Sequence, residues 1–361
     1  MHKSIQRIRY PPFEHKHINP YEINLIEIVL ESENPPPPPF KIGNDDNWIV
    51  EWRKITEDDR LNSIFSIVSS QTPSFLLRTR NGWYIDPDPL HKQARKMITP
   101  AVLILIISFL LRALAPSLEK IKYLDGFVEI FWSSFQLGPL NYPAFLLIGF
   151  PIFISPICLR IVANLRDFSR QKKYYSNTLK RPEFDIHIDQ NIVTLKNFNI
   201  EEEIIINRAK LQVGIPVPER SSVLEALNKT ENNQTAPGMS TKLPARRITT
   251  SEEHGTGVGE TTPMILSNRR VLMLEPMRVM ASGQWENYNS KTIELPSLKE
   301  TWPGSIYSSL IAIHWEIILE CVRNDGVKMK WVSPIKIEHT HHKIHIENLP
   351  VRSGRIELAD D

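Results

Sequence analysis

Two long apolar runs break an otherwise mixed chain. Met97 to Ala115 reads MITPAVLILIISFLLRALA, and Leu140 to Ala163 reads LNYPAFLLIGFPIFISPICLRIVA. Each approaches the ~20 residues with which an α-helix crosses ~30 Å of hydrocarbon. Their only charges, Arg112 and Arg160, sit near C-terminal ends, where a long cation can reach the interface. The first run begins too far into the chain for a cleaved signal peptide. The pattern predicts two transmembrane helices, over 97–115 and 140–163, joined by a loop at 116–139.

After the second run the hydrophobic period changes to two. Phe184–Ile188, Ile192–Leu195 and Ile204–Val213 alternate. So do Met264–Leu274, Met277–Gln284, Lys291–Leu295, Tyr307–Val322, Val327–Ile337 and Lys343–Ile346. Short strands separated by turn residues, with Asn324-Asp-Gly326 marking a hairpin, predict an all-β antiparallel sandwich over 184–348. Alternation sets Ile313, Trp315, Ile317 and Leu319 on one face of a strand. His314, Glu316, Ile318 and Glu320 take the other, read as surface. From 216 to 263 the periodicity is lost, and Ser, Thr, Asn, Gly and Pro dominate, which predicts a disordered insertion.

The N-terminal third predicts a flexible, Pro-rich segment over 1–46, loose up to residue 20. It includes a strand over Tyr21–Leu30 and a polyproline II spacer at Pro35–Pro39. Residues 47–90 predict a small α+β unit. Trp48–Arg53 is its strand. Thr56 caps a helix running to Ser69, with Leu61, Ile64, Phe65 and Val68 on one face. Phe75–Thr79 and Trp83–Ile85 form a hairpin about Asn81-Gly82.

Charge sets the expected orientation. Lys92, Arg95 and Lys96 precede the first run. Arg166, Arg170, Lys172, Lys173, Lys180 and Arg181 follow the second, making 164–183 a basic juxtamembrane segment. The connecting loop has Lys120 and Lys122 beside Glu119, Asp125 and Glu129. Basic residues near span ends stay in the cytoplasm, so both termini are expected there. Trp132 and Tyr142 suit an aromatic interfacial belt, and Phe127–Phe135 an outer-surface segment. Net charge is +2, which offers no bulk field for nucleic acid. Cys158 in a span and Cys321 in a strand imply no disulfide. Asn228 and Asn233 open glycosylation sequons, but on the cytoplasmic side of this topology.

Several segments resemble an arrestin-like sandwich. They are Lys291-Thr-Ile-Glu-Leu-Pro296, Pro303-Gly-Ser-Ile-Tyr307, Ile313-His-Trp-Glu-Ile-Ile-Leu-Glu320 and Val332-Ser-Pro-Ile-Lys-Ile337, with Ile192-Val-Thr-Leu195 and Ala209–Pro218 similar to the opening strands. Over about 184–338 the chain resembles two-span bacterial and archaeal membrane proteins with a cytoplasmic arrestin-like domain. It departs from them at Glu201-Glu-Glu203 and in the length of 216–263. The resemblance implies protein binding and scaffolding, with no catalytic residue to carry over. Gly82–Pro87 also resembles a Gly-Trp-Tyr-Pro-Asp-Pro motif found beside spans in some bacterial proteins.

Motifs for catalysis are sparse. His339, His341 and His345 would share one face of a regular strand, with His342 opposite, and imidazoles so placed are candidate metal ligands. Gly255-Thr-Gly-Val-Gly259 lacks the Lys and Ser/Thr of a phosphate loop. No other cofactor or catalytic motif is present. The expectation is a membrane-anchored interaction module, not an enzyme, whose partners are the bilayer and a protein in or at the membrane. Two alternatives stay open. One is an accessory or sensing subunit of a transporter, its spans packing through Gly149, Ser155 and Ala163. The other is a metal-dependent enzyme using the His339–His345 cluster.

Overall fold

The computed structural model describes residues 1–12, 18–57, 59, 61–118, 133–189, 192–230, 237–240, 273–274, 276–289 and 291–351. Most of the strand expected at Met264–Leu274, the run Gly255–Gly259, Asn233, and Trp132 with most of the external loop lie outside these residues. The chain divides into two units. One joins Met1–Asp86 to Gln171–Asp361, and the other is Pro87–Arg170.

The first unit is built on three sheets. A six-stranded sheet contains β1 (His2–Arg9), β2 (Ile26–Ser32), β3 (Phe40–Gly43), β4 (Ile49–Lys54), β5 (Ser63–Phe65) and β18 (Ile344–Ile346), in the order β18-β3-β4-β1-β2-β5. The first residues of the chain, expected to be loose, thus form a central strand. Ser4, Gln6, Ile8 and Tyr10 turn to the core face, where Gln6 Nε2 donates to Ser308 Oγ at 3.1 Å and Tyr10 Oη donates to the Leu310 carbonyl. Two polar residues on that face, Ser4 and Gln6, hide the alternation. Opposite, Arg7 stands in register with Glu51 and Glu27, and meets Glu51 at 2.8 Å.

The helix expected from Thr56 to Ser69 does not form. Asp59 accepts the Thr56 N–H at 2.7 Å, as a helix cap does, but it also binds Arg53 at 2.8 Å. That pair holds the turn against β4, and Ser63–Phe65 adds to β2 as a parallel edge strand. Of the expected apolar face only Val68 is buried; Leu61 and Phe65 are exposed. The expected hairpin about Asn81-Gly82 is absent as well. Phe75–Thr79 lies in a short helix, α1 (Ser74–Thr79), and β6 (Gly82–Ile85) pairs with a distant strand.

That partner belongs to a second sheet, ordered β12-β11-β16-β17-β6. It comprises β11 (Ile204–Ile215), β12 (Val279–Ser282), β16 (Ala312–Arg323) and β17 (Lys328–Ile335), with β13 (Glu286–Asn287) on β11 and β15 (Ile306–Tyr307) on β16. The third sheet, β14-β10-β9, holds β9 (Glu183–Asp189), β10 (Ile192–Asn199) and β14 (Thr292–Pro296). One apolar core draws on all three sheets through residues such as Ile8, Ile42, Leu195, Ile293, Val213, Ile317 and Leu319. Trp315 lies in it, its indole N–H donating to the Pro303 carbonyl at 2.8 Å. The stretch after Pro216, expected to be featureless, begins with helix α4 (Arg220–Ala226), which buries Val223, Leu224 and Ala226.

The second unit contains α2 (Leu90–Leu118), a hairpin of β7 (Ser134–Leu137) and β8 (Leu140–Pro143), and most of α3 (Ala144–Ser176). Leu140–Pro143, expected in the second span, is therefore a strand. Within these helices Leu90–Leu110 and Gly149–Ser176 are long and apolar enough to cross a membrane. A Cβ at Gly149 would stand 3.5 Å from Ser108 Oγ, so the helices approach closely there. Asp88 caps α2, accepting the Leu90 N–H at 3.0 Å. The Asp167 carboxylate accepts the Asp88 N–H at 3.1 Å, faces His91 Nε2 at 2.9 Å and pairs with Arg170. A largely buried ionic group thus ties the start of α2 to α3. Arg170, counted among the basic flank, has acidic partners within the hairpin.

Candidate functional site

Two places stand out, and they differ in kind. The first is a polar network on the second face of β16. The sequence pattern reads that face as surface; the structure buries it, leaving His314 and Glu316 each 0% exposed. One face of β16 packs into the core, the other lies under α1 through Phe75 and Leu76 against Tyr307 and Ala312, and β11 and β17 close its two edges. Arg80 forks onto Glu316, Nε to Oε2 and Nη2 to Oε1, both at 2.7 Å. Gln212, directly across the ladder, donates to Oε1 at 2.7 Å.

Buried carboxylates prefer to be neutral, but here the Arg80 charge and its bonds prevail and hold Glu316 down to about 2. His314 is pushed the other way: burial lowers its pKa, although Glu316 favours its charged form. The neutral ring accepts from Tyr307 Oη at Nδ1 (2.9 Å), which assigns the proton to Nε2, 3.5 Å from Glu316 Oε2. That separation is too long for a good hydrogen bond, so the contact is electrostatic. Tyr307 forms part of the wall of a cleft of about 500 Å³ that is also lined by Thr72, Phe75, Glu219, Glu225 and Ser309. Burial raises the Tyr307 phenol to about 12, so at neutral pH it is a hydrogen-bond donor and not a nucleophile. The network positions and fastens.

The second place is β9. It ends its sheet, and among the described residues no strand pairs with its outer side. Its register with β10 sets Ile186 opposite Leu195 and Ile188 opposite Val193. Leu195 and Val193 are buried, yet Ile186 is 39% exposed and Ile188 46%. The apolar face of the sheet therefore overhangs the core by one strand. Proline and lysine, which commonly guard an edge, are missing from β9.

The histidine candidates do not assemble. Residues 339–343 are not in a strand, so the shared face does not exist; only His345 is in one, β18. Among the described residues no three His, Cys, Asp or Glu side chains converge to hold a metal ion. Sequence reading missed Arg80, Gln212, His314 and Glu316. One signal was present: Ile318 shares their face, and it packs with Tyr84 and Val332. Comparison of the chain with models of protein families, with curated proteins and with solved structures finds no match.

Proposed function

We propose that this chain is a membrane-anchored interaction module, held by the α2–α3 hairpin, whose β-sheet unit binds a protein partner by strand addition at β9. The observation that carries the reading is the open β9 edge with exposed Ile186 and Ile188. Such an edge offers unpaired backbone donors and acceptors, and its alternate side chains supply contact area. An anchor confines the edge near other membrane proteins and raises its effective concentration. The arrestin-like character of the sheet unit belongs to this proposal, supported by the long strand that carries Trp315 and by the closing strand at Lys328–Ile335. So does the cytoplasmic placement of both termini, supported by the basic residues that flank the two apolar runs.

Site-specific photo-crosslinking in intact membranes tests it. A photoreactive residue at Ile188 is expected to give a discrete protein adduct. The same residue at Lys336, exposed and outside the strands, is expected to give none. Adducts at neither position, or equally at both, would overturn the reading.

A further inference from the structure

The sequence of β9 is complementary to itself. Its seven residues read Glu183-Phe-Asp-Ile-His-Ile-Asp189. Antiparallel pairing centred on Ile186 sets Ile186 against Ile186, Phe184 against Ile188, and Asp185 against His187, the last two pairs occurring twice by symmetry. Apolar residues meet apolar ones on the face that continues from Val193 and Leu195. An acceptor meets a donor on the other face, and a neutral imidazole N–H serves as well as a protonated one. Only Glu183 against Asp189 sets like charges together, at the two ends. Glu183 lies there beyond a ladder irregularity and already takes a hydrogen bond from Asn199 Nδ2 at 3.2 Å. Asp185 is steadied by Asn197 Nδ2 at 2.6 Å.

We propose that the partner at β9 is a second copy of this chain, in a two-fold dimer that joins two β14-β10-β9 sheets edge to edge. A self-complementary strand is what an isologous interface requires, because each residue then meets its symmetry mate or exchanges partners with it. Cross-strand apolar and donor–acceptor pairs each add to such a ladder, and like charges subtract from it. This inference rests on the open-edge reading above and adds the identity of the partner.

The test uses the full chain in its membrane, with Cys158→Ser to remove the exposed thiol. Ile186→Cys, which meets only its own copy in this register, is expected to form a disulfide-linked dimer on mild oxidation. Ile205→Cys, exposed elsewhere, is expected to form none. Adding His187→Asp sets four acids across the pairing and should cut the linked fraction by at least about tenfold, while Asp185→His with His187→Asp should restore it. Because residues 185 and 187 are exposed in the single chain, the unfolding midpoint at a dilution where the wild type is monomeric should stay unchanged, which separates loss of pairing from loss of fold. Absence of the Ile186→Cys dimer, or indifference to His187→Asp, overturns self-association. A different protein captured at Ile188 in that case leaves the open-edge reading standing; no adduct of any kind overturns both.

Discussion

Strands β9 and β16 carry nearly the same chemistry and meet opposite fates. Each alternates isoleucine with histidine and an acid: Asp185-Ile-His-Ile-Asp189 in one, Ile313-His-Trp-Glu-Ile317 in the other. In β16 both faces are buried, and His314 and Glu316 are held by Arg80, Gln212 and Tyr307. In β9 both faces are largely exposed, and His187 lies in solvent. The difference lies in strand order. A strand between two neighbours and under a helix must satisfy its polar groups internally; an edge strand can leave them for a partner. Identical alternation therefore marks structural cement in one place and a binding edge in the other.

The contrast breaks most sharply at the buried pair. Arg80→Ala leaves Glu316 uncompensated inside the sheet and should cost about 3–5 kcal/mol. Trp315→Ala empties a core position and forfeits the bond to Pro303, at about 3–5 kcal/mol. Denaturant unfolding of the full chain measures both. Mesophilic domains hold only about 5–15 kcal/mol, so either change should bring the sheet unit near its limit.

Acid gives the next effect. The folded pKa of His314 lies below its ordinary 6.5, so the unfolded chain binds the proton more readily. The neutral ring's contribution is present above about pH 6.5 and is lost as pH falls toward the folded value. Glu316, held at about 2 against an ordinary 4.5, loses its contribution only below about 4.5. His314→Phe should flatten the upper part of the stability–pH profile and leave the lower part. Burial also lowers His339, so His339→Gln is the control for that window.

Effects at β9 should be smaller still. Ile186→Ala and His187→Ala remove groups exposed in the single chain and, at a dilution where the chain is monomeric, should shift stability by no more than about 0.5 kcal/mol each. His341→Ala and His345→Ala should be neutral in unfolding, and indifferent to added zinc, because no ligand set surrounds them among the described residues. A zinc-dependent rise in midpoint that either change abolishes would contradict that.

Much of this contrast was written in the chain, but not all. The apolar runs announce helices by their length, and the alternation of Phe184–Ile188, Ile204–Val213 and Val327–Ile337 announces strands by its period of two; in the last two the apolar set also faces the core, whereas Ile186 and Ile188 of the first stay exposed. Trp315 with Ile313, Ile317 and Leu319 falls on the core side as the period of two requires. Strand β1 was illegible because Ser4 and Gln6, both polar, are buried on one face, while Ile5, also fully buried, lies on the other beside Arg7 and Arg9, so neither face reads as apolar. The Thr56 segment carries a helix signal, yet Arg53, three residues earlier, shares Asp59 with Thr56 and holds the turn against β4. Gly82 sits at a positive φ of 147°, but Asn81 does not, so the turn its signal promised does not form, and the strand Gly82 begins pairs with β17 across about 250 residues of sequence. His314 and Glu316 look like solvent-facing residues because alternation reports the pleat and says nothing of what lies over it.

Hydrogen exchange on the full chain in its membrane, with and without Ile186→Asp, tests the account most directly. Amides of 183–189 that point away from β10 should be protected in the wild type through pairing at the edge and lose that protection in the variant, while those bonded to β10 stay protected in both. Amides of 313–322 should remain the slow set in both. Rapid exchange of the outward-pointing amides of 183–189 already in the wild type, or loss of protection in 313–322 on the same substitution, would contradict it.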